Sequence, residues 1–542
     1  MTASTAPGSP VAGAGRRRPA PARRPPAAPG LPPLGRGGPQ PWRWPSLALA
    51  ALATILYGVA AGRVSADGDS SEFTLVLATL GVPHPTGYPL YTLPGHGFGR
   101  LLGVAGVGWP QAAALWSAVA GGLAVGMLHA LAARLLVGRG VPRTRASVVA
   151  LLPAVLFAAN PMWTYEATVA EVGAFHLLWL MLALLLGEAL ARSSGPCSPR
   201  TALLAGTVLG AGLAHHLSSL LWSLPLVAVL SPRIVRGGAR SWGAFAAGAL
   251  ALPLAGAGFV AWRAADPAAV RWPLLDATPA SLLDHLTGAQ YRHYLGRFAP
   301  SPAQAALLQR HVFPGLALAL LGLVLAATGP RRAGASPVLG AMLAGALAQA
   351  AFAFSYGVPD PASYFLPVLA AGFACAPVAV IHWPLTARAA GPLKPIAGVW
   401  IALLLPGWVG LAAERTRTFA RFDERVRRMW ASLPDEPGFV VWADDMAHKL
   451  REYQLLDGRG RALVVVDPVL LAHPAARARF ARAHGFDPFE GLDVPAPARI
   501  TDASAFADAV AAAMDRATNL PVYRFEPAIP SVRRLVKPPP AR

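Results

Sequence analysis

Asp67-Gly68-Asp69-Ser70-Ser71-Glu72 places three carboxylates within six residues, just after the apolar run Leu47–Ala61. No Asp or Glu precedes it. Residues 1–413 contain only ten acids, whereas residues 414–542 hold 17 of the 27 in the chain. A long apolar sequence that withholds carboxylates and then gathers them beside a hydrophobic segment reads as a membrane protein with chemistry on one face.

Composition agrees with that reading. Charged residues make up 14% of the 542 and hydrophobic residues 54%, with mean hydropathy +0.44. A soluble domain carries about 25% charged residues. The net charge of +20 would suit nucleic acid, but the arginines lie in the N-terminal tail and in short loops between apolar runs. That is the distribution of the positive-inside rule, and it excludes a nucleic-acid partner. Cys197 falls in an expected cytoplasmic loop and Cys375 inside a span, so no disulfide is expected.

Apolar runs of membrane-crossing length predict spans near 46–63, 111–136, 146–161, 173–190, 201–217, 218–231, 243–262, 313–328, 337–355, 363–382 and 396–413. The expected architecture is an all-α polytopic membrane protein with about 11 transmembrane helices. Residues 1–45, rich in Pro, Ala, Gly and Arg, read as a disordered basic cytoplasmic tail. Residues 46–413 form the membrane domain. With the N-terminus inside, the basic loops Arg134–Arg145, Arg192–Arg200, Arg233–Arg240, Arg331–Arg332 and Arg388–Lys394 all fall in the cytoplasm. Residues 414–542 then lie outside as a small α/β domain, with strand–helix–strand expected between Gly438 and Val466. Tyr88–Val107, broken by Pro89, Pro94, His96 and Arg100, reads as an interfacial helix.

This topology puts Asp67, Asp69, Glu72, Glu166, Glu171, Asp266, Asp276, Asp284 and Asp360 outside. The tenth acid, Glu188, lies near the inner end of a helix and can pair with Arg192 four residues on. Asp69 and Glu72, three apart, share a helix face. Val82-Pro83-His84-Pro85-Thr86-Gly87-Tyr88-Pro89-Leu90-Tyr91 cannot be helix, because its three prolines remove donors and restrict their predecessors. Gly87 permits a positive φ or a close backbone approach. That rigid loop presents His84 and Tyr88 beside Asp69. Glu166 suits a helix N-terminus. Glu171 sits deeper, at the mouth of the next span, where an ionisable group points to function. His215-His216 stand at an outside helix end and suit hydrogen bonding to phosphate better than metal binding. Asp360 can cap the helix after it. Asp444-Asp445 reads as a turn. Asp69, His84 and Glu171 are expected to converge on one cavity. No P-loop, Rossmann or zinc pattern occurs.

Together these segments resemble one family, the polytopic proteins of domain of unknown function 2723, which include the transmembrane protein 260-like O-mannosyltransferases. The resemblance rests on Asp69–Glu72, Gly81–Tyr91, Trp163–Val172, Gly212–His216 and Tyr356–Pro367, in order across roughly 60–380. Two departures, Thr86 in place of a second proline and Gly173 in place of a tyrosine, bear on sugar or acceptor specificity more than on reaction class.

The family looks like the GT-C glycosyltransferases. The resemblance implies a polyprenyl-phosphate sugar donor and an extracytoplasmic protein or glycan acceptor. Asp69 and Glu72 would be the catalytic carboxylates. His84, Tyr88, His215 and His216 would face the donor phosphate, and Asp67, Glu166, Glu171 and Asp360 would orient acceptor or sugar hydroxyls. No metal ligand is assigned and no cofactor is certain; a divalent cation, used by some GT-C enzymes, would sit among Asp67, Asp69 and Glu171. The alternative is a transporter or flippase of a lipid-linked sugar, which would need ionisable groups near mid-membrane.

Overall fold

The computed structural model describes residues 42–66, 68–193, 195–328, 336–358, 361–381, 410–442, 447–495, 500, 502–526 and 531–534. The basic tail up to residue 41, Asp67, Asp360, Asp444-Asp445, the loops at Arg331–Arg332 and Arg388–Lys394, and most of the expected span 396–413 lie outside these residues.

Among the described residues fifteen α-helices run from Arg43 to Ile381: α1 (Arg43–Ala60), α2 (Gly68–Thr79), α3 (Pro89–Val104), α4 (Trp109–Gly138), α5 (Arg143–Ala158), α6 (Pro161–Glu166), α7 (Gly173–Arg192), α8 (Pro199–Leu213), α9 (Leu220–Arg236), α10 (Gly238–Ala265), α11 (Pro279–Leu286), α12 (Pro302–His311), α13 (Phe313–Thr328), α14 (Val338–Ser355) and α15 (Leu366–Ile381). Ten of the eleven expected spans fall on α1, α4, α5, α7–α10 and α13–α15. Among the described residues six helices are long and apolar enough to cross a membrane, and α12 with α13, bent by 45°, could make a seventh. Helices α5, α8 and α15, of 16, 15 and 16 residues, are shorter than the ~20 a straight crossing needs.

Local chemistry explains the starts of several helices. Pro161, Pro199 and Pro302 each occupy a first-turn position, where a missing N–H costs nothing. Asn160, Ser198 and Ser301 precede them and accept backbone N–H groups. Small residues set the packing. A Cβ at Gly206 would lie 2.1 Å from the Phe245 carbonyl oxygen, and one at Gly248 would lie 2.4 Å from that of Leu203. Only glycine lets α8 and α10 approach so closely. Inside the bundle, buried Glu188 pairs with Arg192 as the spacing predicted and also accepts the Ser336 hydroxyl.

Beyond the bundle lie a helix over 410–431, called α16, then α17 (Ala447–Glu452), α18 (Pro468–Leu471), α19 (Pro474–His484) and α20 (Ala503–Ala517). Among the described residues four strands, β1 (Gly438–Val441), β2 (Leu463–Val466), β3 (Val522–Glu526) and β4 (Ser531–Arg534), form one sheet in the order β2-β1-β3-β4. β1 is parallel to β2 and β3, while β4 runs antiparallel to β3. The expected strand–helix–strand is thus β1–α17–β2. Helix α2 packs against α3, α4 and α17, so the acidic motif is held between the bundle and the C-terminal segment.

Candidate active site

The Asp-Ser-Ser-Glu sequence forms the first turns of α2, and its four side chains divide the work. Asp69 is exposed, whereas Glu72 is buried. Ser70 and Ser71 turn back to the preceding loop, where Ser70 Oγ accepts the Ala66 N–H at 3.2 Å and the Ser71 hydroxyl donates to Ser65 Oγ at 2.9 Å. The i, i+3 spacing leaves the two acids together on another face.

That face meets the proline-rich loop. Glu72 Oε1 accepts the backbone N–H of His84 at 2.8 Å, and Glu72 Oε2 lies 2.5 Å from His84 Nδ1. Asp69, Glu72 and His84 each bring a polar atom within 4.8 Å of the others. Burial alone would raise the Glu72 carboxyl and lower the His84 ring. Their mutual charge, with Asp69 adding to the field on His84, outweighs burial. Glu72 is held below the usual carboxylate range and His84 is pushed up to about 9. The site therefore contains an imidazolium clasped by one carboxylate, with a second beside it.

The loop is fixed from three sides. Val82 exchanges backbone hydrogen bonds with Val270 at 3.0 Å and Trp272 at 2.8 Å. Phe73 packs on His84, Tyr88 and Tyr91 at ring separations of 5.4, 5.7 and 5.4 Å. Gly87 has φ +83°, and a Cβ there would stand 3.0 Å from Val260 Cγ2 and 3.3 Å from His285 Nε2. The expectation that all ten residues avoid helix is corrected at the end of the motif: Pro89, Leu90 and Tyr91 open α3, with Pro89 at the first helical position where proline is tolerated. The rest of α3 buries Thr92, Gly95 and Gly99 and exposes Leu93, Leu101 and Val104.

Tyr88 extends the site to a second group of histidines. Its hydroxyl donates to the Pro85 carbonyl at 3.1 Å and lies 3.4 Å from His84 Nε2. Its ring is 5.8 Å from that of His215 and 6.0 Å from that of His216. His216 Nδ1 accepts the Ser218 N–H at 3.1 Å, and the Ser218 hydroxyl also lies 3.3 Å from His176 Nε2. Burial, with the neighbouring imidazoles, pulls His215 down to about 3 and His216 to about 4. These two are neutral at pH 7. The histidines expected to face the donor phosphate thereby divide: His84 carries the charge, and His215 and His216 offer neutral imidazole.

The remaining acids differ in setting. Glu166 is buried at the end of α6, and its Oε2 lies 2.1 Å from where a Cβ on Gly173 would stand. Any side chain at 173 would meet that carboxylate. Glu171 is anchored through its backbone, with the Ser117 hydroxyl 3.0 Å from its carbonyl oxygen and Ser117 Oγ 3.2 Å from its N–H. Its charge acts on the Tyr88 and Tyr91 hydroxyls, but it stands outside the Asp69–Glu72–His84 group. A small cleft bounded by Val64, Ala66, Ser70, Pro110, Thr168 and Arg415 is lined by none of Asp69, His84 or Glu171.

Several groups at the site carried no sequence signal. Trp272 and Tyr291 place their rings 6.0 and 6.2 Å from His84. His448 stacks on Trp272 at 6.0 Å and lies in the field of Glu72. His285 is buried, and among the described residues its Nε2 has no hydrogen-bond partner. Burial and the carboxylates push the Tyr88 and Tyr291 hydroxyls well above their usual range, so both are neutral donors.

Two carboxylates and an imidazole are apt donors for a divalent cation. Here both Glu72 oxygens already accept from His84, so an ion would have to displace that contact. The expected set of Asp67, Asp69 and Glu171 includes Asp67, which lies outside the described residues; among the described residues Glu171 is not part of the Asp69–Glu72–His84 group. No step below is routed through a metal.

Residues 69–233 match the family model described as Protein O-mannosyl-transferase TMEM260 N-terminal domain. No curated protein matches the chain. Among solved structures the chain is similar to ArnT from Cupriavidus metallidurans bound to undecaprenyl phosphate. Identity is 16% and the TM-score 0.52, over 82% of this chain and 88% of that one. The same protein in the apo state gives 16% identity and a TM-score of 0.49, over 79% and 91%. The S. cerevisiae protein O-mannosyltransferase Pmt1-Pmt2 complex bound to the sugar donor gives 16% and 0.32, over 41% and 34%. At these identities the likeness concerns the fold alone: a mostly helical membrane protein that resembles the ArnT structure in architecture.

Proposed function

We propose that the chain is an integral-membrane glycosyltransferase that moves a sugar from a polyprenyl-phosphate donor to an acceptor hydroxyl on a protein or glycan. The observation that carries this reading is the cluster of exposed Asp69, buried Glu72 and charged His84 at the start of α2. The family match over 69–233 makes mannose the first sugar to test. The site is placed on the extracytoplasmic side, with residues 1–45 as a cytoplasmic tail, 46–413 as the membrane domain and 414–542 outside.

In this mechanism Asp69 takes the proton of the acceptor hydroxyl as general base. The freed oxygen attacks the anomeric carbon as the bond to the phosphate oxygen breaks, and the electron pair leaves with the phosphate. Direct displacement inverts the anomeric centre. Imidazolium His84 meets the growing negative charge, a contact worth most where water is excluded. Glu72 acts through His84, keeping it charged and aimed, which is a narrower role than a second catalytic carboxylate. Neutral His215 and His216 donate to phosphate or sugar oxygens, and Tyr88 does so once its hydroxyl turns from the Pro85 carbonyl. Asp67, Glu166, Glu171 and Asp360 remain proposals for orienting acceptor or sugar; for Glu166 the burial against Gly173 favours a packing role.

The test is incubation of purified protein with labelled polyprenyl-phosphate hexoses. Glycosyl transfer moves label out of the lipid fraction. A flippase leaves label in the lipid and moves the lipid between leaflets of a proteoliposome, and that outcome would reject the reading.

A further inference from the structure

A chain of buried polar groups joins the C-terminal segment to the first turn of α2. Lys449, on α17, is completely buried. Its ammonium has three donors, and three acceptors meet it: Asp423 Oδ1 at 2.9 Å, the Ser65 carbonyl at 3.0 Å and Ser65 Oγ at 2.8 Å. Ser65 Oγ in turn donates to Glu452 Oε2 at 2.5 Å and accepts from Ser71 at 2.9 Å. One hydroxyl thus uses its single donor and both acceptor positions. Asp423, on α16, also accepts from Tyr453 at 2.8 Å and Arg427 at 2.7 Å. Ser71 is the residue before Glu72 and lies two from Asp69.

Burying an ammonium and carboxylates costs more than packing apolar groups there, so net stability is a poor account of this arrangement. What it does provide is register, because each partner fits in one geometry only. That geometry ties α17 to the turn bearing Asp69 and Glu72, and it turns His448, one residue before Lys449, toward Trp272 and the Glu72–His84 pair. A second ion pair, Arg479 with Asp276 at 2.7 Å, holds α19 against the segment that carries Trp272.

We propose that Lys449 is a positioning residue for the reaction: through Ser65 and Ser71 it fixes the first turn of α2, and the C-terminal segment is one wall of the active site. This rests on the glycosyltransferase reading. His448 and Trp272 then line the site beside the Glu72–His84 pair.

The experiment uses the full chain in lipid nanodiscs, as wild type, Lys449→Met and Ser65→Ala, with two readouts. Hydrogen exchange over residues 66–79 reports the positioning without any catalysis. Both variants are expected to exchange faster there while α9 is unchanged. Turnover of labelled donor per folded molecule is expected to fall, up to about a hundredfold for a displaced site. Donor KM stays near wild type, since the lost interaction acts in the transition state. Should Lys449→Met not fold, Ser65→Ala, which removes one oxygen, reads the same link. Unchanged exchange over 66–79, or a turnover loss matched by loss of folded protein, overturns the proposal. If wild type turns over no donor, the glycosyltransferase reading fails, and exchange still decides whether Lys449 holds α2.

Discussion

Glu72 grips His84 twice, at the backbone N–H (2.8 Å) and at ring Nδ1 (2.5 Å). One carboxylate therefore sets both the position and the charge of the histidine nearest Asp69.

The pair predicts a pH dependence. His84 has a folded value of about 9 against an ordinary 6.5. Its contribution to stability is complete below 6.5 and is lost as pH rises through about 9. Glu72, held below its ordinary value, contributes above that value and loses its contribution as pH falls. Activity that needs the imidazolium should fall along an alkaline limb near 9. Glu72→Gln removes the charge that raises His84, so the limb should move toward neutral pH. A pH–rate profile of the two proteins checks this; identical limbs would detach His84 from the reaction.

Gly87 occupies the left-handed region at φ +83°, and a Cβ there would be crowded by Val260, His285 and Val82. Gly87→Ala should cost about 1–2 kcal/mol from the backbone alone. Gly87→Val should cost more, because branching at Cβ worsens the clash with Val260. Melting of the solubilised variants gives the order.

Gly173 and Glu166 contend for the same space. Gly173→Ala should destabilise the protein in the presence of Glu166. In a Glu166→Ala background the same change should cost far less, a coupling readable from a double-mutant cycle. Equal costs in both backgrounds would mean that Glu166 is not what demands glycine at 173.

The basic loops predict sides. A reporter fused after Arg542 should be active only outside the cell, and cytoplasmic activity would put the acidic cluster on the other face.

Hydropathy made most of the bundle legible, since an apolar run of crossing length has few other uses. The i, i+3 spacing also placed Asp69 and Glu72 on one face, and the prolines marked the Gly87 turn, because proline and glycine restrict the backbone wherever they stand. The site's far wall had no such mark. His448, Trp272, Tyr291 and His285 reach His84 and Gly87 only through tertiary packing. Lys449 carries no mark in the sequence, and its burial depends on Asp423 and Ser65 being brought to it. Which histidines are charged was also hidden, because it depends on Glu72 reaching one of them and not the others.

The most direct test of the account is single-turnover transfer from labelled polyprenyl-phosphate mannose by wild type and Asp69→Asn. Asp69 is exposed, so the change should leave melting near wild type while transfer slows by about 10²–10⁴-fold, the range of a lost general base. Transfer by Asp69→Asn at the wild-type rate would contradict the account.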